Sequence, residues 1–332
     1  MKSMNNAVQQ FILENVRNNI TMNKNGKDEK GKLHKGRVLV TKDGYDVIEC
    51  ELCGLKHIIP LHKNTVQEEF YSEKFYQKET KNYIKRHQED YEWWSIEHNE
   101  KYYYFEKYVD ETNRRKILDI GSGPGFFLKI GKERGWDVTG IEPGKIAYEF
   151  AKHELGLNIV NEFFCEQNYL NFGLFDVVHL NNVLEHLVDP INILKMAIEI
   201  TEQKGLICVT SPNDFNPLQK MAVENLSKDY WWVVPDHHVN YFDSKSLNKL
   251  FSNLRLNVIY ETTSFPLELF LFMGDDYIGN DKIGRNIHKK RMTMEKHFSD
   301  AGENGFKRRI YNKLAEFGLG REITIIAKRK LD

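Results

Sequence analysis

Much that would mark a specialised chain is missing from this sequence. Four cysteines in 332 residues are too few for a disulfide framework, so a reducing cytoplasm is the expected compartment. Eight prolines and 22 glycines exclude a collagen-like or low-complexity polymer. No apolar run approaches the ~20 residues that cross a bilayer, and the opening MKSMNNAVQQFILENVRNN lacks the apolar block of a secretory signal. Net charge is absent too. The 47 Lys+Arg meet 48 Asp+Glu, a formal −1, which argues against a protein that coats nucleic acid. What is present is a globular composition, 41% hydrophobic and 29% charged, with aromatics at 12%, enough for a large core or an aromatic-lined cleft. The length suits two domains or one elaborated domain.

Residues 1–20 place Val8, Phe11, Ile12 and Val16 at helical spacing, and a Lys- and Gly-rich linker runs on to residue 35. GRVLV and YDVIEC then flank Asp43-Gly44, a hairpin signal. Residues 66–112 turn helical and aromatic, with Tyr83, Tyr91, Trp93 and Trp94 among the rings. From residue 115 the rhythm alternates. Strands are expected at 116–120, 137–142, 158–163, 175–180 and 206–211, and helices at 126–134, 144–155, 189–203 and 244–253; strands at 256–263 and 322–329 close the chain. Such alternation implies βαβ units and a mostly parallel sheet covered on both faces. The expected division is an N-terminal helix and linker (1–35), a hairpin with a helical cap (36–112), a core (113–264), a helical insertion (265–319) and a last core strand (320–332).

The most informative stretch is KILDIGSGPGFFLKIGKERGWDVTGIEP. An apolar strand runs into Asp119, then Gly121-Ser122-Gly123-Pro124-Gly125, then a helix. Glycines there let the backbone turn tightly and approach a ligand beside helix N-terminal N–H groups. Glu142 ends the next strand, where an acid can accept both hydroxyl hydrogens of a ribose. A dinucleotide fingerprint needs a third small residue, and Phe126 stands in its place. The pattern is instead D-x-G-x-G-x-G, whose acid suits the ammonium and sulfonium of S-adenosylmethionine.

On these residues the sequence resembles the class I S-adenosylmethionine-dependent methyltransferases over about 113–264 and 320–332. The resemblance implies a Rossmann-like, seven-stranded, mostly parallel α/β sheet. It assigns the methionine part of the cofactor to Asp119, Gly121, Ser122, Gly123 and Gly125, and the ribose to Glu142. Phe163 and Phe164 stand at the adenine turn, where the family often has Asp, so aromatic packing and a backbone amide are the expected substitute. Asn181, in HLNNVLEHLVDP, falls beside the methionine end; Glu185 and His186 fit either the site or the capping and packing of the next helix. Phe126 and Phe127 read as core. The [D/N/S]-P-P-[Y/F] run of methyltransferases acting on DNA bases or glutamine is absent.

After the fifth strand, P-D-H-H-V-N-Y-F is similar to a run in methyltransferases of sugar and cell-envelope glycan pathways. There a histidine at the place of His238 is proposed as general base. Imidazole titrates near neutrality and can take a hydroxyl proton; His237 is the second candidate, and loop packing is the structural alternative for both. Cys50-x-x-Cys53-Gly looks like half of a zinc knuckle, as in the N-terminal module of the sugar C-methyltransferases. The second CxxC is missing, and His34, His57 and His62 lack diagnostic spacing, so a knuckle surviving as a hairpin is favoured over bound zinc. Within 281–313, ten Lys+Arg against four Asp+Glu give a net +6. That charge suits phosphate on a nucleotide-linked sugar or an anionic glycan, or an ordinary solvated face.

The expectation is therefore a cytoplasmic S-adenosylmethionine-dependent methyltransferase of a small-molecule or glycan acceptor, possessing no membrane span, with O-methylation first and a place in polysaccharide biosynthesis. An RNA or protein methyltransferase is the enzyme alternative, and a cofactor-binding scaffold the non-enzyme one. Oligomeric state is not legible.

Overall fold

The computed structural model describes residues 26–28, 31–62, 74–109 and 115–329. The helix expected within 1–20 lies outside them. The chain divides into two units, the first ending at His62.

In the first unit, strand β1 (Gly36–Lys42) pairs antiparallel with β2 (Tyr45–Cys50), and β2 with β3 (Lys56–Ile59). Asp43 and Gly44 both have positive φ (53° and 85°), the turn that matches strand twist in a two-residue hairpin. Val47, Ile48 and Ile58 are fully buried.

The second unit opens with α1 (Lys74–Glu89) and α2 (Tyr91–Tyr108). Then β4 (Lys116–Ile120), α3 (Phe126–Glu133), β5 (Asp137–Ile141), α4 (Lys145–Glu149, continued by a wider turn to Glu154) and β6 (Ile159–Val160) follow. Next come β7 (Phe175–Asn181), α5 (Pro190–Glu199), β8 (Thr201–Pro212), α6 (Pro217–Leu226), the two-residue β9 (Asn240–Tyr241), α7 (Ser244–Asn253) and β10 (Leu256–Thr263). Helices α8 (Glu268–Phe272), α9 (Asp281–Asp300) and α10 (Asn304–Glu316) precede β11 (Glu322–Arg329).

The expected seven-stranded sheet is present, in the order β10-β11-β8-β7-β4-β5-β6. Pairings from β8 through β6 are parallel, and those of β11 with β8 and β10 are antiparallel. Strands β4 and β7 are largely buried on both faces, as a sheet covered by helices requires. Ile117, Leu118, Val177 and Val178 are fully buried.

Two expected elements differ. The helix expected to reach 203 stops at Glu199, because Thr201 pairs with Phe175 and extends β8 across the sheet. The strand expected at 158–163 shrinks to Ile159–Val160. Beyond it, the Asn161 side chain donates to the Glu142 and Pro143 carbonyls, fastening the edge to the turn after β5.

The basic insertion finds its anions within the chain. Arg285 pairs with Asp90, Lys296 with Glu92, Lys307 with Glu97 (2.8 Å) and Arg308 with Glu100 (2.6 Å). These acids line α2 or the residue before it, so α2 is clamped by α9 and α10 and much of the +6 is neutralised internally.

Candidate functional site

Ligands of open α/β sheets bind at the carboxyl ends of the strands. Here a cavity of about 770 Å³ opens there, lined by the turns after β4, β5, β6 and β7 and by α1 and α2. The expected residues Asp119, Gly121, Ser122, Gly123, Gly125, Glu142, Phe163, Phe164, Asn181, His237 and His238 all line it. The volume lies within the range of small-molecule sites.

The glycine loop is held from below. Gly121 N and Ser122 N donate to the Ile141 carbonyl (2.8 and 3.0 Å), tying the loop to the end of β5. Gly121 has φ 72°, and a Cβ there would meet Val183 Cγ2 at 2.7 Å, whereas a Cβ on Gly123 (φ 53°) would meet nothing within 4 Å. The Gly123 backbone therefore faces open space, and Ser122 Oγ is buried without a partner. Glu142 is 3% exposed. Its Oε2 accepts from Gly123 N (2.8 Å) and its Oε1 from Gly144 N (2.6 Å). Burial pushes its pKa up to about 7, against the pull of those two N–H groups. Phe164 is buried and Phe163 more exposed, which gives the turn after β6 an aromatic wall.

Below the loop lies a buried polar chain that the sequence did not announce. Asp119 Oδ1 accepts from His179 Nδ1 at 2.7 Å. Lys101, from α2, donates to His179 Nε2 (3.2 Å), Asn181 Oδ1 (2.6 Å) and Thr210 Oγ1 (3.0 Å). Burial lowers the His179 pKa, so the ring is a neutral relay between a carboxylate and an ammonium. A lone histidine inside the apolar run FDVVHL was the available signal for His179. Lys101 had none, being one lysine among the charges of EHNEKYYYFEK.

Aromatic groups from the cap complete the wall. The His87 ring stacks between Trp94 (4.4 Å) and Phe126 (4.1 Å), and Phe127 stacks on His179 (4.2 Å). Phe126 and Phe127 are thus both core and cavity wall. Burial pushes His87 down to about 3, so this ring is uncharged at neutral pH.

At the other end, two sequence motifs are stitched together. Asn240 Nδ2 donates to the Leu184 and Leu187 carbonyls (3.0 and 2.6 Å), Val239 N to Glu185 O (2.7 Å), and His186 Nδ1 to His237 O (2.8 Å). The helix that follows is capped by Asp189, not by Glu185 or His186. Glu185 is instead buried against Ser211 (3.1 Å), and burial raises its pKa to about 8. His238 meets the His186 ring edge-on at 5.0 Å. Burial, with His186 and His237 beside it, pushes its pKa down to about 3, and its Nδ1 has no hydrogen-bond partner.

These residues fit S-adenosylmethionine: an acid beside two backbone N–H groups for a diol, a loop open at Gly123, and an uncharged aromatic wall. Comparison with known proteins agrees on the family. A family profile described as "Methyltransferase domain" matches residues 90–261, just over half of the chain. Ubiquinone biosynthesis O-methyltransferase of Histophilus somni (strain 2336) is 30% identical over 120 residues, covering 33% of this chain and 50% of that protein. The enzyme of the same name from Pseudomonas aeruginosa (strain UCBPP-PA14) is 30% identical over 104 residues, 30% of this chain and 45% of that one. The chain thus spans about half the length of the curated relatives it matches. Among solved structures, a SAM-dependent methyltransferase from Archaeoglobus fulgidus aligns with TM-score 0.43 at 19% identity, covering 68% of this chain and 90% of that chain. A plantazolicin methyltransferase solved with a desmethylPZN analog and SAH aligns with TM-score 0.47 at 15% identity, covering 80% and 95%. With the D-x-G-x-G-x-G loop, Glu142 beside it and the seven-stranded sheet all in place, and the profile matching over half of its length, the chain belongs to the methyltransferase-domain family.

Proposed function

We propose that this protein is an S-adenosylmethionine-dependent methyltransferase acting on a hydroxyl of a small, uncharged, ring-bearing molecule. One observation supports the reading above others: a single cavity joins the Gly121–Gly125 loop and Glu142 to the histidines at 237 and 238. When bound, S-adenosylmethionine supplies an electrophilic methyl group on a sulfonium. Glu142 and Phe163–Phe164 hold the nucleoside end, while the loop after Asp119, with Lys101 and Asn181 beneath, holds the methionine end.

The acceptor enters between the cap helices and the 234–238 loop. His238 is neutral at physiological pH, so it accepts a hydrogen bond from the acceptor hydroxyl and orients the oxygen lone pair. With a pKa near 3 in the free protein it is a weak base, and orientation is its main contribution. His237 assists from the same loop. An oxygen acceptor agrees with the names of the curated relatives, and stacking on neutral rings suits a sugar or an aromatic ring. A phosphorylated acceptor is less well served, since the insertion's cations are paired with acids of α2.

The test is a thermal-shift titration followed by an acceptor screen with label in the cofactor's methyl group. S-adenosylmethionine and S-adenosylhomocysteine should raise the melting temperature, and Glu142→Ala should abolish the rise. Stabilisation by NADH in place of both would refute the reading.

A further inference from the structure

The first unit gathers four metal-binding side chains that the sequence scattered over 24 positions. Cys50 ends β2, Cys53 lies in the turn, His57 sits in β3, and His34 arrives from the segment before β1. One ligand atom from each lies within 4.8 Å of all the others. His34 Nδ1 is 3.1 Å from His57 Nε2 and 3.5 Å from Cys50 Sγ. In a tetrahedral zinc centre, with Zn–N about 2.0 Å and Zn–S about 2.3 Å, neighbouring ligand atoms are about 3.3–3.8 Å apart. The cluster is therefore already close to the spacing of a bound ion.

The backbone presents the cysteines for it. Gly54 N donates to Cys50 O (3.0 Å) and Cys50 N to Leu55 O (2.9 Å), a tight turn that brings both sulfurs to one side. Gly54 has φ 74°, which explains the glycine after Cys53. The outer nitrogens of both histidines face oxygens. His57 Nδ1 donates to Ile58 O (2.8 Å), and His34 Nε2 lies 3.7 Å from Asp28 Oδ2. With the His57 proton on Nδ1, its Nε2 lone pair faces the cluster beside His34 Nδ1. Oxygen partners behind the ligating histidines are the usual outer shell of a zinc site.

We propose that His34, Cys50, Cys53 and His57 form a structural zinc site that closes the hairpin unit. The two thiols lose their protons on binding, and two thiolates with two neutral imidazoles bring the site to net zero charge. An N/S donor set of four selects zinc over magnesium or calcium, and it leaves no position open for catalysis. His34 and His57 take the places that a second CxxC would fill, against the expectation of a knuckle surviving only as a hairpin; His62 is not part of the cluster. The described part of this unit is three short strands, and a metal adds to what their burial supplies.

The experiment uses the full chain, reduced, stripped with chelator and reloaded with Zn²⁺ or Co²⁺. One equivalent of zinc should survive dialysis, and the Co²⁺ form should show the intense visible bands of a tetrahedral ion with thiolate charge transfer. X-ray absorption of the zinc-loaded wild type should count two sulfur and two nitrogen ligands, a result that needs no variant to fold. Cys53→Ser and His57→Ala should each weaken zinc binding at least ~10-fold, while Cys165→Ser, outside the cluster, should leave it unchanged. An octahedral, oxygen-rich cobalt spectrum, a wild type that keeps no zinc, or Cys53→Ser variants binding as tightly as wild type would each overturn the assignment.

Discussion

Asp119 and His179 lie side by side on adjacent parallel strands, directly in register, and share a 2.7 Å hydrogen bond. The Asp119 carboxylate accepts a hydrogen bond from Nδ1–H, so the lone pair left on the ring is at Nε2, where Lys101 Nζ donates. One hydrogen bond thus fixes a tautomer and makes the ring a receiver for a lysine from the cap helix. Sheet and cap are joined at the floor of the candidate cavity.

Lys101→Met should therefore cost more than a surface lysine. It strands the acceptors on Asn181 and His179 in a buried place, a loss of about 2–4 kcal/mol. Urea denaturation should show that drop. Affinity for S-adenosylhomocysteine, read by calorimetry, should fall at least ~10-fold because Asn181 loses the donor that orients it. A variant with wild-type stability and affinity would remove Lys101 from the site.

Glu142 gives a pH signature. Its pKa in the free protein stands near 7, above the ordinary carboxyl range, and the deprotonated form accepts hydroxyl hydrogens best. Cofactor affinity should rise with pH up to about 7 and then level, changing at most ~10-fold per unit below it. Binding near pH 6.5 should release a proton, visible as a buffer-dependent enthalpy. Glu142→Gln should flatten both dependences. Stability has the opposite sign: a raised carboxyl pKa means the folded form holds its proton longer. This residue's contribution is therefore lost as pH rises from about 4.5 to 7.

The legible and illegible parts of the site differ in how far apart their partners are in the chain. Asp119, the glycines and Glu142 are bound by local geometry, a strand, a turn and the next strand, and each step leaves a mark in residue type. The V-L-E-H and H-H-V-N runs were each visible, but not that Asn240 would pin the turn at 184–187 or that His186 would bond the 237 carbonyl. Lys101 meets Asn181 across 80 positions. No periodicity encodes such a contact, because it depends on where a cap helix lands. The +6 insertion misled for the same reason: its counter-ions lie about 200 residues upstream, on α2.

His238 tests the acceptor end. Its depressed pKa, about 3, means that below pH ~6.5 the unfolded imidazole takes a proton the folded one refuses. Its contribution is destabilising in acid and vanishes above that pH. His238→Gln should gain about 1–2 kcal/mol relative to wild type between pH 7 and pH 5. With a working acceptor, kcat should fall while S-adenosylhomocysteine affinity holds. Unchanged turnover would dismiss the residue from the reaction.

Gly121→Ala separates backbone strain from crowding. An alanine at φ 72° costs about 1–2 kcal/mol, and its Cβ would stand 2.7 Å from Val183 Cγ2. Adding Val183→Ala should relieve the contact but not the dihedral. The double variant should therefore recover part of the loss caused by Gly121→Ala, beyond the effect of Val183→Ala alone. Strict additivity in a double-mutant cycle would show that the two residues do not press on each other.

Glu295, on the insertion helix α9, is fully buried and accepts from Arg291 Nε (3.0 Å), from Trp93 Nε1 of α2 and from the Tyr311 hydroxyl of α10. Three elements meet on one carboxylate. Removing it alone leaves the Arg291 charge buried and unpaired, so Glu295→Ala should cost about 3–5 kcal/mol, whereas Glu295→Leu with Arg291→Met should cost far less. The consequence reaches the site through geometry, since the helix it anchors carries Lys101 at the cavity floor. Glu295→Ala should therefore also weaken S-adenosylhomocysteine binding without touching the cavity, and the double replacement should restore it. Restored stability without restored binding would show that the charge itself, and not the seating of α2, is what the cavity needs.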